Sequence, residues 1–413
     1  MWQVSVPDTS CSPRLARTTV TLMGPNGSRL ADTPVRIEQV RHDFLFGNVG
    51  FDLIDHAAGT DVSATSAQLA ADYLDLFNAA TLPFYLGRFE PRRGEPDTAR
   101  LAGAARWFAQ RGATVKGHPL VWHTAQPAWL DALPADGVEQ VLRARIRREV
   151  AGFAGTIDWW DAINEVVIMP VFTAVPNAVT DLARQKGRLA MVRLAFEEAR
   201  AANPNVRLVL NDFDLSSAYE CLIEGVLEAG IVPDAIGLQT HMHQGFRGED
   251  YLIDKVGKFA RYGIPLHFTE TSLVSGRLMP AHVVDLNDYR VTSWPSTPGG
   301  EARQADEIVR HYRTLVSQPS VASIVYWGIT DAHTWLNAPI GLVRADGSHK
   351  PAYDALHGLI KGDWWVGPTD GATDEAGRFE LTGFAGMYAV TVGGQRRFVH
   401  LDKTTGASLT VTL

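Results

Sequence analysis

Asp158-Trp-Trp-Asp-Ala-Ile-Asn-Glu165 is a short apolar run that closes on an amide and a carboxyl. Strands of a parallel sheet are buried on both faces and read as brief hydrophobic stretches. In a closed parallel barrel, the groups that act on a ligand stand where those strands end. Pro265-Leu-His-Phe-Thr-Glu270 repeats the pattern with a second carboxyl. Eight such runs are found, over residues 44–51, 81–89, 113–122, 157–164, 206–211, 235–240, 265–269 and 321–327. Between them lie stretches of helical period, such as 137–153 and 182–202. Alternation of this kind predicts an α/β fold, a TIM (β/α)8 barrel over residues 42–362, with its site at the C-terminal ends of the strands.

The two ends of the chain read as β structure. Thr18-Thr-Val-Thr-Leu22, a turn at Gly24-Pro-Asn-Gly27 and Val35-Arg-Ile-Glu-Gln-Val40 predict an N-terminal hairpin within residues 1–41. In residues 363–413 the helical period is lost. Gly377-Arg-Phe-Glu-Leu381, Met387-Tyr-Ala-Val-Thr-Val392, Arg397-Phe-Val-His-Leu401 and Ser408-Leu-Thr-Val-Thr-Leu413 alternate like strands of a small sandwich. Neither end holds much core, and isolated hairpins are marginal, so residues 17–40 and 363–413 are expected to pack as one β module. A separate carbohydrate-binding module is the competing reading, although the tail carries no aromatic cluster that favours it.

Of the 413 residues, 46% are hydrophobic, and the formal net charge is −8. An acidic chain argues against a nucleic-acid or anionic-membrane partner, since phosphate binding needs a basic surface. No stretch is long and apolar enough for a membrane span, and the start, Met1-Trp-Gln-Val-Ser-Val-Pro-Asp8, lacks the blocks of a signal peptide. Cys11 and Cys221 fall in different predicted modules and are not expected to pair. Eleven tryptophans suit a sugar cleft, where a flat apolar ring lies against the C–H face of a pyranose, as well as an ordinary core.

Two glutamates on strands four and seven have a specific chemical use. Cleavage of a glycosidic bond with retention needs one carboxylic acid to protonate the leaving oxygen and one carboxylate to attack the sugar carbon, about 5–5.5 Å apart. Glu165 is expected as the acid and Glu270 as the nucleophile, with Asn164 holding a sugar hydroxyl. Two surface acids opening loops are the bland alternative, which their joint placement beside Asn164 disfavours. A neighbouring carboxylate and apolar walls would keep Glu165 protonated. No cofactor is needed.

Histidines close strands three and six, in Gly117-His-Pro-Leu-Val-Trp-His123 and Gly237-Leu-Gln-Thr-His-Met-His243. A metal hydrolase on this barrel would commonly place His-X-His on strand one, which is missing here, so no metal is expected. An activity that depended on a bound metal would revive that reading. His123, Gln239 and His241 are read as hydrogen-bonding groups around a sugar, and His118 and His243 as core or loop histidines. Trp327 and Trp335 read as floor and lid of the sugar site, or as barrel plugs. Residues 272–301 form a long aperiodic segment expected to border the leaving-group side.

These motifs together resemble glycoside hydrolase family 10, best known for endo-β-1,4-xylanases, over residues 44–359. The resemblance rests on the two histidine motifs, Trp160-Asp-Ala-Ile-Asn-Glu165, Asn211-Asp-Phe-Asp214, Thr269-Glu270 and Trp327-Gly-Ile-Thr-Asp331 followed by Trp335. It implies Glu165 as acid/base, Glu270 as nucleophile, and a glycone sugar held by His123, Asn164, Gln239, His241, Trp327 and Trp335. It also implies a monomer that is secreted or on the cell surface, acting on β-1,4-linked xylan or a related plant polysaccharide.

Two departures qualify it. The family's Glu-Asn-X-X-Lys-Trp after strand two is replaced by Leu82-Pro-Phe-Tyr-Leu-Gly-Arg-Phe-Glu-Pro91, where Tyr85 and Arg88 are candidates for a different glycone preference. The family's Glu-Leu-Asp becomes Glu270-Thr-Ser272, which leaves Ser272 to orient His241. Another β-glycoside, such as a decorated oligosaccharide or a glycosylated plant metabolite, is therefore an alternative substrate. A noncatalytic carbohydrate-binding protein is the alternative from another class.

Overall fold

Strands β1 (Gln3–Ser5), β2 (Leu15–Met23) and β3 (Pro34–His42) open the chain in a computed structural model that describes residues 1–8, 11–403 and 408–413. Eight strands then form a closed barrel: β4 (Leu45–Val49), β5 (Ala79–Pro83), β6 (Thr114–His118), β7 (Trp159–Asn164), β8 (Arg207–Asp212), β9 (Ala235–Met242), β10 (Leu266–Leu273) and β11 (Val321–Tyr326). All pairs are parallel, and β11 returns to β4. Strands β12 (Thr369–Ala372), β13 (Arg378–Phe384), β14 (Gly386–Val392), β15 (Gln395–Leu401) and β16 (Ser408–Thr412) end the chain.

Helices cover the barrel. In Pro298–Val316, Thr297 caps the first turn by accepting from Gly300 N at 3.1 Å, and Pro298 fits where no backbone donor is needed. Its buried Ile308, Tyr312, Leu315 and Val316 recur at the spacing of one helical face. Strand two is shorter than the sequence suggests. It stops at Pro83, which brings no N–H to a ladder, and the chain turns into a short helix, Leu86–Phe89. Gly87 N bonds Ala125 O at 2.7 Å, and a Cβ on Gly87 would lie 2.6 Å from that oxygen, so glycine lets the two exit loops meet.

Two register shifts matter for the site. Between β7 and β8, Asp161 pairs with Val209 but Ile163 pairs with Leu210, which inserts one residue just ahead of Asn164 and Glu165. Between β10 and β9, Phe268 pairs with Leu238 but Glu270 pairs with Gln239. Strand side chains alternate faces, so an inserted residue re-aims everything after it.

The terminal strands interleave. One sheet runs β1-β13-β2-β16 and the other β12-β3-β14-β15, so each mixes strands from both ends of the chain. The expected hairpin is corrected here: β2 and β3 lie in different sheets and pair with C-terminal strands instead of each other. The reason is burial, because β2 and β3 each gain two partners this way and only one in a hairpin. Trp364, fully buried, stacks on Phe46 at 6.0 Å and meets Phe384 at 5.9 Å, which joins this β module to the barrel floor.

Candidate active site

Glu165 leaves β7 with a left-handed backbone, φ 57°, a conformation that costs a non-glycine residue about 1–2 kcal/mol. Its amide donates to Asn211 O at 2.8 Å. Its carboxyl lies across the barrel mouth, where Oε2 accepts from Trp122 Nε1 at 2.8 Å and Oε1 from Gln239 Nε2 at 3.3 Å. Burial, and then repulsion from Glu270, raise its pKa to about 8. The group therefore carries a proton at neutral pH.

Glu270 stands opposite on β10. Its Oε1 accepts from Asn211 Nδ2 at 2.9 Å, and its Oε2 is 3.1 Å from His241 Nε2. Next to a carboxylate that nitrogen bears the hydrogen, so in the neutral ring Nδ1 accepts from Ser272 Oγ, 3.0 Å away. Asn211 Nδ2 also donates to Asn164 Oδ1 at 2.7 Å, and Gln239 Nε2 reaches the same oxygen at 3.1 Å. A continuous chain, Glu165–Gln239–Asn164–Asn211–Glu270, thus joins the two carboxyls. Gly237 makes room for it, since a Cβ there would lie 2.3 Å from Asn211 Oδ1.

Aromatic rings wall the site. Tyr85 packs against Trp122 at 5.4 Å, His118 at 5.5 Å and Phe51 at 6.0 Å, while Trp327 meets Phe51 at 5.9 Å and His118 at 5.3 Å. Trp335 lies 4.9 Å from the His241 ring. Burial, followed by the charges of Glu270 and Glu165, pushes the Tyr85 hydroxyl well above its ordinary range. Beneath this wall Asp161 takes Lys116 Nζ at 2.8 Å and His118 Nδ1 at 2.7 Å. Burial alone would raise its pKa, but those two partners bring it below the ordinary value.

Asn164, Glu165, Gln239, His241, Glu270, Trp327, Trp335 and Tyr85 are thus brought together. His123 stands apart, and Arg88 stays at the solvent side, although its charge is felt at the Tyr85 hydroxyl. The His123 ring packs on Phe172 at 4.4 Å, its Nδ1 has no hydrogen-bond partner among the described residues, and burial lowers its pKa to about 4. Arg88 is exposed on Leu86–Phe89. His118 is no bystander, since its ring stands between Tyr85 and Trp327. His243 is not a satisfied core histidine, because neither ring nitrogen has a partner among the described residues. Trp122, a weaker candidate from the sequence than Trp327 and Trp335, donates to Glu165, and Asn211, which the sequence gives no role of its own, holds Glu270. Asn211 closes the fifth run as Glu165 follows the fourth, which is the signal that could have found it. Among the described residues, no group of three His, Cys, Asp or Glu side chains is placed to hold a metal ion, and no helix is long and apolar enough to cross a membrane.

A carboxyl kept protonated at neutral pH, facing a second carboxyl over an aromatic-walled barrel mouth, suits bond cleavage at a sugar, and the chain is a glycoside hydrolase. The profile of glycosyl hydrolase family 10 matches residues 86–358, and the chain belongs to that family. An endo-1,4-beta-xylanase 3 of Hypocrea jecorina is 25% identical over 62% of this chain and 67% of its own length. A beta-1,4-xylanase of Dictyoglomus thermophilum is 25% identical over 63% of this chain and 72% of its own. In fold, a family-10 structure from Paenibacillus barcinonensis aligns with a TM-score of 0.62 at 21% identity, covering 78% of this chain and 96% of that one.

Proposed function

We propose that the chain cleaves β-1,4-linked xylan, or a related plant cell-wall polysaccharide, within the polymer and with retention at the anomeric carbon. Glu165 gives its proton to the leaving oxygen as Glu270 attacks the anomeric carbon and forms a glycosyl ester. Glu165, now a carboxylate, takes a proton from water, which attacks the same carbon and frees Glu270. Asn164, Gln239 and His241 hold hydroxyls of the reacting sugar, and Trp327 and Trp335 cover its apolar faces. Residues 42–362 act as the catalytic barrel, and 1–41 with 363–413 as its supporting module.

The observation that carries this reading is the hydrogen-bonded chain between the two carboxyls, with the proton kept on Glu165. The xylanase names of the Hypocrea and Dictyoglomus relatives support the substrate class. An activated 2-fluoro xylobioside tests it: the expected result is an inactivated enzyme with the sugar attached to Glu270. Labelling at another residue, or turnover with inversion, would end the proposal.

One observation favours another β-glycoside as substrate. Where the family's Glu-Asn-X-X-Lys-Trp would supply polar binders, the exit loop of β5 offers the Tyr85 ring packed on Phe51 and Trp122. Aryl and oligosaccharide β-glycosides assayed side by side separate the two.

A further inference from the structure

His243 is fully buried, and both of its ring nitrogens lack a hydrogen-bond partner among the described residues. Leaving a buried polar atom unpaired costs about 1–3 kcal/mol, and native proteins rarely leave two such atoms on one ring. The imidazole is flanked by Trp335, edge-on at 5.2 Å, Trp294 at 6.0 Å and His241 at 5.8 Å. Two indoles offer no acceptor, and His241 already spends both nitrogens on Glu270 and Ser272. Trp335 packs on His241 at 4.9 Å as well as on His243, so the ring that covers His243 also borders the sugar site.

Trp335 is held in a way that can yield. Its Nε1 donates to Asn287 Oδ1 at 3.2 Å, a single bond to an exposed residue of the one-turn helix Leu286–Asp288. His333, Leu336 and Asn337 around it have φ of 57°, 62° and 54°, left-handed conformations that store strain in non-glycine residues. Trp294 and Met279 lie in a small apolar cluster with Val274, Ala338 and Ile340, separate from the main core. The wall over His243 is thus built from the exit loops of β10 and β11, which pack mostly on each other.

We propose that His243 is a specificity-determining residue that reads one hydroxyl of the bound glycoside, reached when the Trp335 indole shifts as the sugar enters. This rests on the function proposed above and adds a polar contact to those of Asn164, Gln239 and His241. Burial beside His241 holds the ring neutral, with a pKa of about 3, so it offers one donor and one acceptor, which is what a sugar hydroxyl needs.

The test uses the full chain with His243→Leu and His243→Gln, thermal unfolding without ligand, and steady-state kinetics on xylohexaose and an aryl β-xyloside. The leucine variant should melt above the wild type, since it removes an unpaired polar group. Its KM should rise about tenfold with a smaller change in kcat, as expected for one lost hydrogen bond. Glutamine should restore KM to within about threefold of wild type. An unchanged KM in the leucine variant overturns the proposal, and so does a leucine variant that melts lower, which marks a structural histidine. A wild type inert on both substrates overturns the proposed function and this proposal with it, whereas an active wild type with an unchanged KM in the leucine variant overturns this proposal alone.

Discussion

Trp122 donates its indole N–H to Glu165 Oε2 at 2.8 Å, so the exit loop of β6 sets the proton affinity of a carboxyl that leaves β7. A hydrogen bond to the charged form favours that form, so this contact restrains the rise that burial and Glu270 impose. Trp122→Phe keeps a ring and removes the donor. The basic limb of the kcat/KM profile on xylohexaose should move above its wild-type position near pH 8. A limb that stays in place or moves down would show that Trp122 does not tune Glu165.

Removing either carboxyl should separate their roles. Glu165→Ala should lose about 10²- to 10⁴-fold in kcat/KM on xylohexaose, the usual worth of a general acid, and much less on an aryl glycoside whose leaving group needs no proton. Glu270→Ala should be inactive on both. Equal losses on the two substrates in the Glu165 variant would contradict its assignment as acid.

Stability should carry the mark of Glu165 as well. Its folded pKa of about 8 exceeds the ordinary 4.5, so between those values the folded chain binds a proton that the unfolded chain has released, and stability falls as pH rises through the window. Glu165→Gln lacks this dependence. Urea unfolding should find the variant close to wild type at pH 4 and more stable at pH 9. A constant difference at the two pH values would falsify the link.

Asn211 holds Glu270 and Asn164 through a single side-chain nitrogen. Asn211→Ala should lower kcat by about 10²-fold, the order expected when a reacting group is displaced by about 1 Å, with KM little changed. Kinetics dominated by a rise in KM would place Asn211 in binding instead.

Deleting residues 367–413 removes β12 to β16, which supply the partners of β1, β2 and β3. The truncated chain should melt well below the full chain, because it exposes strand edges and the apolar surface around Trp364. Calorimetry that gives both the same transition would show the barrel to be independent of its β module.

The barrel was legible in the sequence because its strands are buried on both faces, so Val321–Tyr326 and its counterparts appear as apolar runs between helices of regular period. The carboxyls were legible because each closes such a run. Asn211 closes a run as well, but an amide has no single chemical use comparable to that of a paired carboxyl, so its part in holding Glu270 and Asn164 emerges only from the hydrogen bonds. His118 and His123 belong to one motif, and the turn between them sets His118 against Tyr85 and Trp327 and His123 against Phe172, which the motif alone does not decide.

What the sequence alone determined is the periodicity, and through it the barrel, the β character of both ends and the strand ends that carry Glu165 and Glu270. Only the tertiary structure decided the inserted residues in β7 and β10 that re-aim those glutamates, and the exchange that puts β2 and β3 in different sheets. The physical reason is range. Local pattern fixes which face of an element is apolar, whereas register and partner choice depend on contacts between residues far apart in the chain.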